Sequence, residues 1–157
     1  MTMTIACLIT IRPARRDDVD AIVAMLADDH LGHARERLEE PLPASYYQAF
    51  DAIARASDIE LVVAEEAGRV VGCLQLCILP GLSSQGASRA LVEDVRVASD
   101  RRSRGIGELL LQWAIGEARA KRAALIELLT HESRVDAQRF YGRLGFARSH
   151  VGMVMRF

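Results

Sequence analysis

The sequence feature that most constrains the fold is a glycine-containing junction between a predicted strand and a predicted helix. A β-rich run over 90–97 is followed by a polar loop, 98–104, and then by apolar residues at helical spacing over 105–120. Gly105 and Gly107 lie where the loop becomes the helix. A strand that leads through a short loop into a long helix indicates a sheet covered by helices, which is the α/β class of fold.

This junction also has the features of a phosphate-binding loop. Glycine lets backbone N–H groups approach a ligand closely, and the first turn of a helix leaves its N–H groups without intrahelical partners. With the helix dipole they form a site for a diphosphate, although an ordinary tight turn is the alternative interpretation. A Rossmann loop is excluded because Leu110 stands at the third glycine position, and a P-loop because no Gly-Lys-Ser/Thr occurs. Arg101, Arg102 and Arg104 add positive charge.

The rest of the chain alternates between strand and helix patterns. Runs 59–66 and 69–79 flank Ala67-Gly68 and predict a β-hairpin. Further strands are predicted over 8–12, 124–130 and 145–157, and further helices over 17–27, 44–56 and 135–144. The segment 28–44 is irregular, and no repeat or linker divides the chain. Residues 1–157 are therefore expected to form one domain.

Composition excludes several classes of protein. Half of the 157 residues are hydrophobic, which is enough for a packed core. With 20 basic and 21 acidic side chains the net charge is -1, so the basic excess of a nucleic-acid-binding protein is missing. No apolar run approaches the about 18 residues of a membrane span, and the N-terminus lacks the basic region of a signal peptide. We expect a soluble, cytoplasmic protein with neither a nucleic-acid nor a membrane partner.

The cysteines and histidines give no sign of a metal site. Cys7, Cys73 and Cys77 contain no CxxC pair, which argues against both a disulfide framework and structural zinc. The pair His131-Glu132 has no third ligand near it in the sequence. We therefore expect no metal, and the cysteines are interpreted as small buried hydrophobic residues.

Two motifs resemble those of a known enzyme family. The stretch Arg102-Ser103-Arg104-Gly105-Ile106-Gly107 resembles the acetyl-CoA-binding signature Arg/Gln-x-x-Gly-x-Gly/Ala of the GNAT superfamily of N-acetyltransferases. Residues 93–97 before it resemble the fourth strand of that family, and 134–146 are similar to its motif Ala-x-x-Phe-Tyr-x-x-x-Gly-Phe. The resemblance extends over nearly the whole chain and is weakest over 28–58. It implies the GNAT fold, a mixed and mostly antiparallel sheet of six to seven strands with about four helices, and acetyl-CoA as acetyl donor.

The same resemblance implies roles for individual residues. The backbone of Val95 and Val97 would pair with the pantetheine arm, and N–H groups over 103–108 would hold the pyrophosphate. The hydroxyl of Tyr141 would lie near the thioester sulfur and protonate the departing thiolate. Arg134 stands where many relatives carry asparagine, and it could reach the 3′-phosphate of CoA. The candidate cofactor-binding residues are Val95, Arg96, Val97, Arg102, Ser103, Arg104, Gly105, Ile106, Gly107, Glu108, Arg134, Ala137, Phe140 and Tyr141.

The transfer needs a base, because an alkylammonium must lose a proton before its nitrogen attacks the thioester. Glu93 and Asp94 are the candidates, with a water relay as the third possibility. In a regular strand Glu93 shares a face with Val95 while Asp94 points the other way, and a bulge would exchange the two faces. The candidates for the acceptor pocket are His30, Tyr46 and Gln75, with His33 and Tyr47 as further possibilities.

The acceptor is expected to be a small amine. Segments 109–119, 127–130, 136–141 and 148–150 loosely resemble those of aminoalkylphosphonate acetyltransferases, which favours a small molecule over a protein tail. The alternatives are acetylation of a protein N-terminus or lysine, and a non-catalytic regulatory module that binds acetyl-CoA. A homodimer is common among proteins of this type and is a further possibility.

Overall fold

A computed structural model describes residues 9–29 and 31–157. The described strands are β1 (Ile9–Pro13), β2 (Ile59–Glu66), β3 (Arg69–Leu79), β4 (Arg89–Val97) and β5 (Ile126–Leu128). The described helices are α1 (Val19–Ala27), α2 (Ala44–Arg55), α3 (Ser83–Gly86, a single turn), α4 (Ile106–Ala120) and α5 (Val135–Arg143). Two turns of 3-10 helix, Arg16–Asp18 and Ser99–Arg101, precede α1 and follow β4.

The strands form a mixed sheet in the order β1-β2-β3-β4-β5. The first three neighbouring pairs are antiparallel, and β4 pairs with β5 in parallel because α4 carries the chain back between them. The turn between β2 and β3 has φ of 49° at Ala67 and 80° at Gly68. Positive φ at both central residues is what a type I′ turn requires, so the predicted hairpin is confirmed.

The two faces of the sheet carry different helices. Side chains alternate along a strand, and Val62 packs in the same cluster as Leu110 of α4, while its neighbour Val63 packs with Ile22 of α1. The contact with α4 is close at Gly72, where a Cβ would lie 3.1 Å from Leu110 Cδ1. Burial of these apolar faces fixes α4 on one side and α1 on the other.

A partly buried ion network joins β1, β2 and the start of α1. The guanidinium of Arg12 donates to Asp18 at 2.7 and 3.0 Å and to Glu65 at 2.7 Å. The backbone N–H of Arg15 also donates to the carboxylate of Asp18, at 2.6 Å. Bonding to Arg12 lowers the pKa of Asp18 although burial opposes the change. Asp18 stands at the N-cap position of α1, but its carboxylate makes no side-chain hydrogen bond to that helix.

The predicted class and mostly antiparallel character are confirmed, but the predicted element counts are not. Over the described residues the sheet has five strands instead of six to seven, and five helices accompany it instead of about four. The strand predicted over 145–157 is absent: that segment has no strand partner, and a strand exists only through pairing. The additional helix is the single turn α3. Leu8, the first residue of the predicted strand 8–12, and Cys7 lie outside the described residues.

Cys73 and Cys77 are buried and unpaired, as the sequence indicated. Burial raises the pKa of the Cys73 thiol to about 12, so it stays protonated near neutral pH. Within the described ranges, no helix is both long enough and apolar enough to cross a membrane.

Candidate active site

β4 contains a bulge at its centre. Cys73 of β3 pairs with Arg96, and Gln75 pairs with Glu93, so one intervening residue of β3 faces two of β4. Asp94 takes up the extra residue with a φ of 51°, a left-handed conformation that Asp adopts more readily than most residues. The alternative in which a bulge exchanges the two faces is therefore the one that the structure contains.

The bulge changes which side chains share a face of β4. Because Cys73 and Gln75 are two residues apart on a regular strand, their partners Arg96 and Glu93 lie on one face. Val95 and Val97 pack instead with the core cluster on the α4 side. A regular strand would have put Glu93 with Val95, so that expectation is wrong.

The strands β4 and β5 diverge after a short paired stretch. Their parallel pairing runs from Ala90 with Ile126 to Val92 with Leu128 and then ends. Residues 93–97 continue β4 along β3, but no described strand pairs with their other edge. This edge leaves backbone donors and acceptors accessible to a linear ligand that carries amide groups.

The first turn of α4 lies close to this open edge. Gly105 precedes the helix with a φ of 80°, which glycine adopts without a steric penalty, and no side chain caps the turn. The first intrahelical bond runs from the N–H of Leu109 to the carbonyl of Gly105, at 3.0 Å. The N–H groups of Ile106, Gly107 and Glu108 are therefore available, which is the arrangement that binds phosphate groups.

Phe140 connects α5 to this junction. A Cβ on Gly107 would lie 3.4 Å from Phe140 Cζ and 3.8 Å from Val97 Cγ2, so the ring packs where β4 and α4 meet. The next residue, Tyr141, has its ring centroid 5.3 Å from that of Phe140 and 5.9 Å from that of Phe146. These contacts fix the orientation of the Tyr141 ring, and Ala137 is half-buried on the same helix.

Burial and the charges of two arginines act on the hydroxyl of Tyr141. Burial raises its pKa above the ordinary value, while the charges of Arg96 and Arg134 act in the opposite direction. The phenol is therefore protonated at neutral pH and is available as a proton donor.

The arginines before α4 have different environments. Arg101 donates to Glu66 at 2.6 Å and to Asp100 at 2.8 Å, which removes it from the candidate phosphate site. Arg102 donates to the backbone carbonyl of Asp28 at 2.9 Å and lies 3.4 Å from its carboxylate. Arg104 and Ser103 are exposed, and Ser103 is left-handed with a φ of 62°.

Asp29 connects the start of α5 to the segment that follows α1. Arg134, which directly precedes α5, donates to the carboxylate of Asp29, and that carboxylate also accepts the N–H of Gly32 at 3.1 Å. Sequence reasoning missed both Asp28 and Asp29. The available signal was an adjacent acidic pair at the end of a helix, but its partners are 74 and 105 residues away.

Glu93 and Gln75 are brought together as cross-strand partners. The amide of Gln75 lies 3.5 Å from the carboxylate of Glu93 and 3.4 Å from Cys77 Sγ. Glu93 is exposed to solvent, yet the surrounding protein and the charge of Asp94 raise the pKa of its carboxyl group. Glu93 lies beside Gln75 on one face of β4, whereas Asp94 takes up the extra residue of the bulge.

Arg96 differs from the neighbouring arginines. Its guanidinium donates to the backbone carbonyl of Val95 at 2.9 Å, while its Nε is buried without a hydrogen-bond partner in the described part of the chain. Leaving a buried donor unsatisfied costs about 1–3 kcal/mol, and more for a charged group.

The hydrogen bonds of Tyr46 and Tyr47 go to residues outside β3 and β4. The hydroxyl of Tyr46 donates to Glu36 at 2.9 Å and accepts the N–H of Arg37 at 3.0 Å, so it orders the segment between α1 and α2. Tyr47 bonds to Asp20 of α1. His33 is exposed, and His30 lies outside the described residues.

Two surface grooves are separate from this cluster. One, of about 560 Å³, lies between α1 and the β2–β3 turn, and one of about 470 Å³ lies beside the segment 38–42. Acidic side chains line both, and neither includes Glu93 or Tyr141. In the ranges 9–29 and 31–157, no three His, Cys, Asp or Glu side chains come together as a metal site.

Residues 21–146 match the model of the Acetyltransferase (GNAT) family. The matched segment contains the β4 bulge, the α4 junction and Tyr141. It therefore covers the candidate site.

Individual proteins agree with this match. An aminoalkylphosphonate N-acetyltransferase of Salmonella typhimurium is 34% identical over 144 residues, covering 89% of this chain and 86% of the relative. A crystal structure described as a transcriptional regulator from Bacillus halodurans C-125 is 47% identical with a TM-score of 0.93, covering 95% of this chain and 99% of that one. A putative acetyltransferase from Agrobacterium tumefaciens str. C58, 24% identical, has the same fold with a TM-score of 0.84, covering 94% and 99% of the two chains. The resemblance expected from the sequence is confirmed.

Proposed function

Because this chain belongs to the GNAT family of acetyltransferases, we propose that it transfers an acetyl group from acetyl-CoA to the primary amine of a small molecule. The observation that carries the proposal is the meeting of two sets of backbone groups that no described strand or helix pairs. One set is the edge of β4 beyond Val92, and the other is the uncapped first turn of α4. An extended arm with amide groups fits the first, and a diphosphate fits the second.

Acetyl-CoA supplies a thioester carbonyl that an amine attacks directly when both substrates are bound. The chain's own groups then have two tasks, which are to remove a proton from the amine and to supply one to the leaving thiolate. The C–N amide bond forms as the C–S bond breaks. The products are the acetylated amine, CoA with a free thiol, and one proton released to solvent.

Glu93 is the proposed base. Its carboxylate lies on the exposed face of β4, beside Gln75 and outside the apolar cluster. The raised pKa of Glu93 increases its affinity for the proton of a bound ammonium group. The proton reaches the carboxylate directly or through one water molecule. Asp94 then has a structural role, since its left-handed conformation forms the bulge.

Tyr141 is the proposed acid. Packing against Phe140 and Phe146 fixes the ring against the same core cluster as Val95 of β4, and burial keeps the hydroxyl protonated. The backbone N–H of Val95 is the proposed donor to the carbonyl oxygen, where negative charge develops during attack. Solvent restores the proton of Tyr141 after each cycle.

A small acceptor is favoured by the nature of the relatives. The Salmonella typhimurium relative is named for aminoalkylphosphonates, which are small primary amines, and it covers most of this chain. The site residues Glu93 and Gln75 lie on the face of the sheet that carries α1, so this helix and the segment after it limit the space for the acceptor.

The proposal is tested by titration with acetyl-CoA and by a thiol-release screen over small amines and peptides. Gly105→Val forces a β-branched residue into a φ of 80°, at a cost of about 1–3 kcal/mol, so the Kd for acetyl-CoA should rise about 30-fold. Gly116→Ala on the same helix is the matched control, because an added Cβ meets nothing within 4 Å there. Its Kd should equal that of the wild type. Equal Kd values for all three proteins, or no thiol release with any amine, would contradict the proposal.

A further inference from the structure

The segment 147–157, which follows α5 and Phe146, has the residue pattern of a strand but no strand partner. Every second residue from 151 onward is large and apolar, namely Val151, Met153, Met155 and Phe157. A period of two places such side chains on one face of a strand. In the described part of the chain, however, this segment pairs with no strand, and the backbone groups of residues 150–157 make no hydrogen bond. The segment therefore has backbone donors and acceptors available for a neighbouring strand.

The same segment forms an exposed apolar patch. Five of its side chains are 69–114% exposed, namely Val151, Met153, Val154, Met155 and Phe157. Monomeric proteins rarely expose contiguous apolar patches of more than a few hundred Å², and larger patches mark interaction sites. A stable interface removes about 800 Å² from each partner, and five neighbouring side chains of this size supply much of that area. The patch therefore indicates a surface that a partner covers.

The outer edge of β5 is the matching feature. β5 is the last strand of the sheet, and only β4 pairs with it among the described strands. Two apolar side chains next to its ends, Leu125 and Leu129, are 49% and 70% exposed. The segment 147–157 passes close by, since a Cβ on Gly152 would lie 3.0 Å from Leu129 Cδ2, yet it does not pair with β5 of its own chain. One chain thus carries both an unpaired strand pattern and an unpaired strand edge.

We propose that two copies of this chain form a dimer in which residues 150–157 of each copy add a strand to the outer edge of β5 of the other copy. A two-fold axis makes the exchange reciprocal, so both segments and both edges are paired and the assembly is closed. The apolar side chains of each segment are then covered together with Leu125 and Leu129. The outer edge of β5 faces away from β4, so the open edge at 93–97 stays accessible. The dimer does not depend on the proposed acetyl transfer.

Sedimentation equilibrium tests the dimer. The wild type should have twice the 17.3 kDa mass of one chain at micromolar concentrations. Met153→Glu puts a charge into the covered patch and should raise the Kd of the dimer about 30-fold or more, the effect of losing one well-buried anchor. Leu82→Glu is the matched control, because Leu82 is 97% exposed outside this segment, and its Kd should equal that of the wild type. A wild-type mass of one chain, or equal Kd values for all three proteins, would overturn the inference.

The exchange itself is tested on the wild type, so the result does not depend on the folding of any variant. In a dimer assembled from isotope-labelled and unlabelled copies, filtered NMR spectra report only contacts between the two copies. The proposal predicts contacts from the methyl groups of Met153 and Met155 to those of Leu125 and Leu129 of the other copy. The amides of 151–157 should also exchange their hydrogens slowly. Contacts between copies that involve only other segments, or fast exchange of these amides, would contradict the exchange.

Discussion

The helices α4 and α2 are similar in length, with 15 and 12 residues, but they are attached to the sheet in opposite ways. α4 buries five residues, and it begins at a glycine in a left-handed conformation, which most other residue types adopt only with strain. α2 has no buried residue, and polar contacts such as the Arg16–Asp51 ion pair connect it to the turn before α1.

In the proposed reaction, the acetyl donor and the acceptor amine depend on different kinds of protein group. On the proposed assignment, the donor side uses backbone groups whose positions depend on the packing of α4. The proposed acceptor side uses side chains on β3 and β4. Surface ion pairs such as the one that connects α2 contribute little to stability.

The largest expected effect is on stability. Leu110→Ala removes a fully buried side chain of α4 and should lower the free energy of unfolding by about 3 kcal/mol. Ile53→Ala removes a half-buried side chain of α2 and should cost about 1 kcal/mol. Denaturant unfolding of both variants measures the difference. Equal losses would remove the contrast between the two helices.

The next largest expected effect is the loss of activity when the proposed base, Glu93, is changed. Glu93→Gln should lower kcat about 100-fold at neutral pH, since the side chain keeps its shape but accepts no proton. Because the pKa of Glu93 is raised, wild-type activity should be lost as the pH falls through a value above that of an ordinary glutamate, and the variant should lack this acid limb. Glu60→Gln, on β2, is the control. An unchanged acid limb in Glu93→Gln would transfer the role to Asp94 or water.

A smaller loss of activity is expected when the proposed acid, Tyr141, is changed. Tyr141→Phe keeps the ring against Phe140 and Phe146 but removes the hydroxyl. We expect kcat to fall about 30-fold, because water can donate the proton less efficiently, while the Kd for acetyl-CoA changes little. Single-turnover rates and a binding titration separate the two quantities. If kcat is unchanged, Tyr141 has only a packing role.

The smallest expected effect concerns the ion pair between the segment that follows α1 and the residue that precedes α5. Asp29→Asn removes the ion pair of Arg134 and loosens the segment between α1 and α2 from α5. The KM for the acceptor should rise about 5-fold, the effect of losing an ion pair of about 1 kcal/mol. The Kd for acetyl-CoA should stay constant. A weaker acetyl-CoA complex with an unchanged acceptor KM would assign this segment to the donor side.

The sequence predicted those parts of the molecule that depend on local signals. The turn at Ala67-Gly68 and the start of α4 at Gly105 each need a backbone conformation that glycine favours, so they were recognisable from residue type and spacing. The apolar spacing of α4 gave its length to within one residue at the N-terminal end.

The parts that depend on pairing between distant segments were not predictable. The bulge at Asp94 results from the register between β3 and β4, and nothing in the run 90–97 itself requires it. The contact between Asp29 and Arg134 joins residues 105 positions apart. The strand predicted over 145–157 is absent for the same reason, since a predicted β segment does not supply a neighbouring strand. The roles of Glu93 and Tyr141 stay proposals.

The central claim is that acetyl-CoA binds along the open edge of β4 and at the first turn of α4. Backbone amide NMR during a titration with acetyl-CoA tests it directly. The account predicts large shift changes for the N–H groups of Val95, Val97, Ile106, Gly107 and Glu108, with slower hydrogen exchange, and small changes along α2. Saturable shifts confined to other segments, with these five amides unchanged, would contradict it.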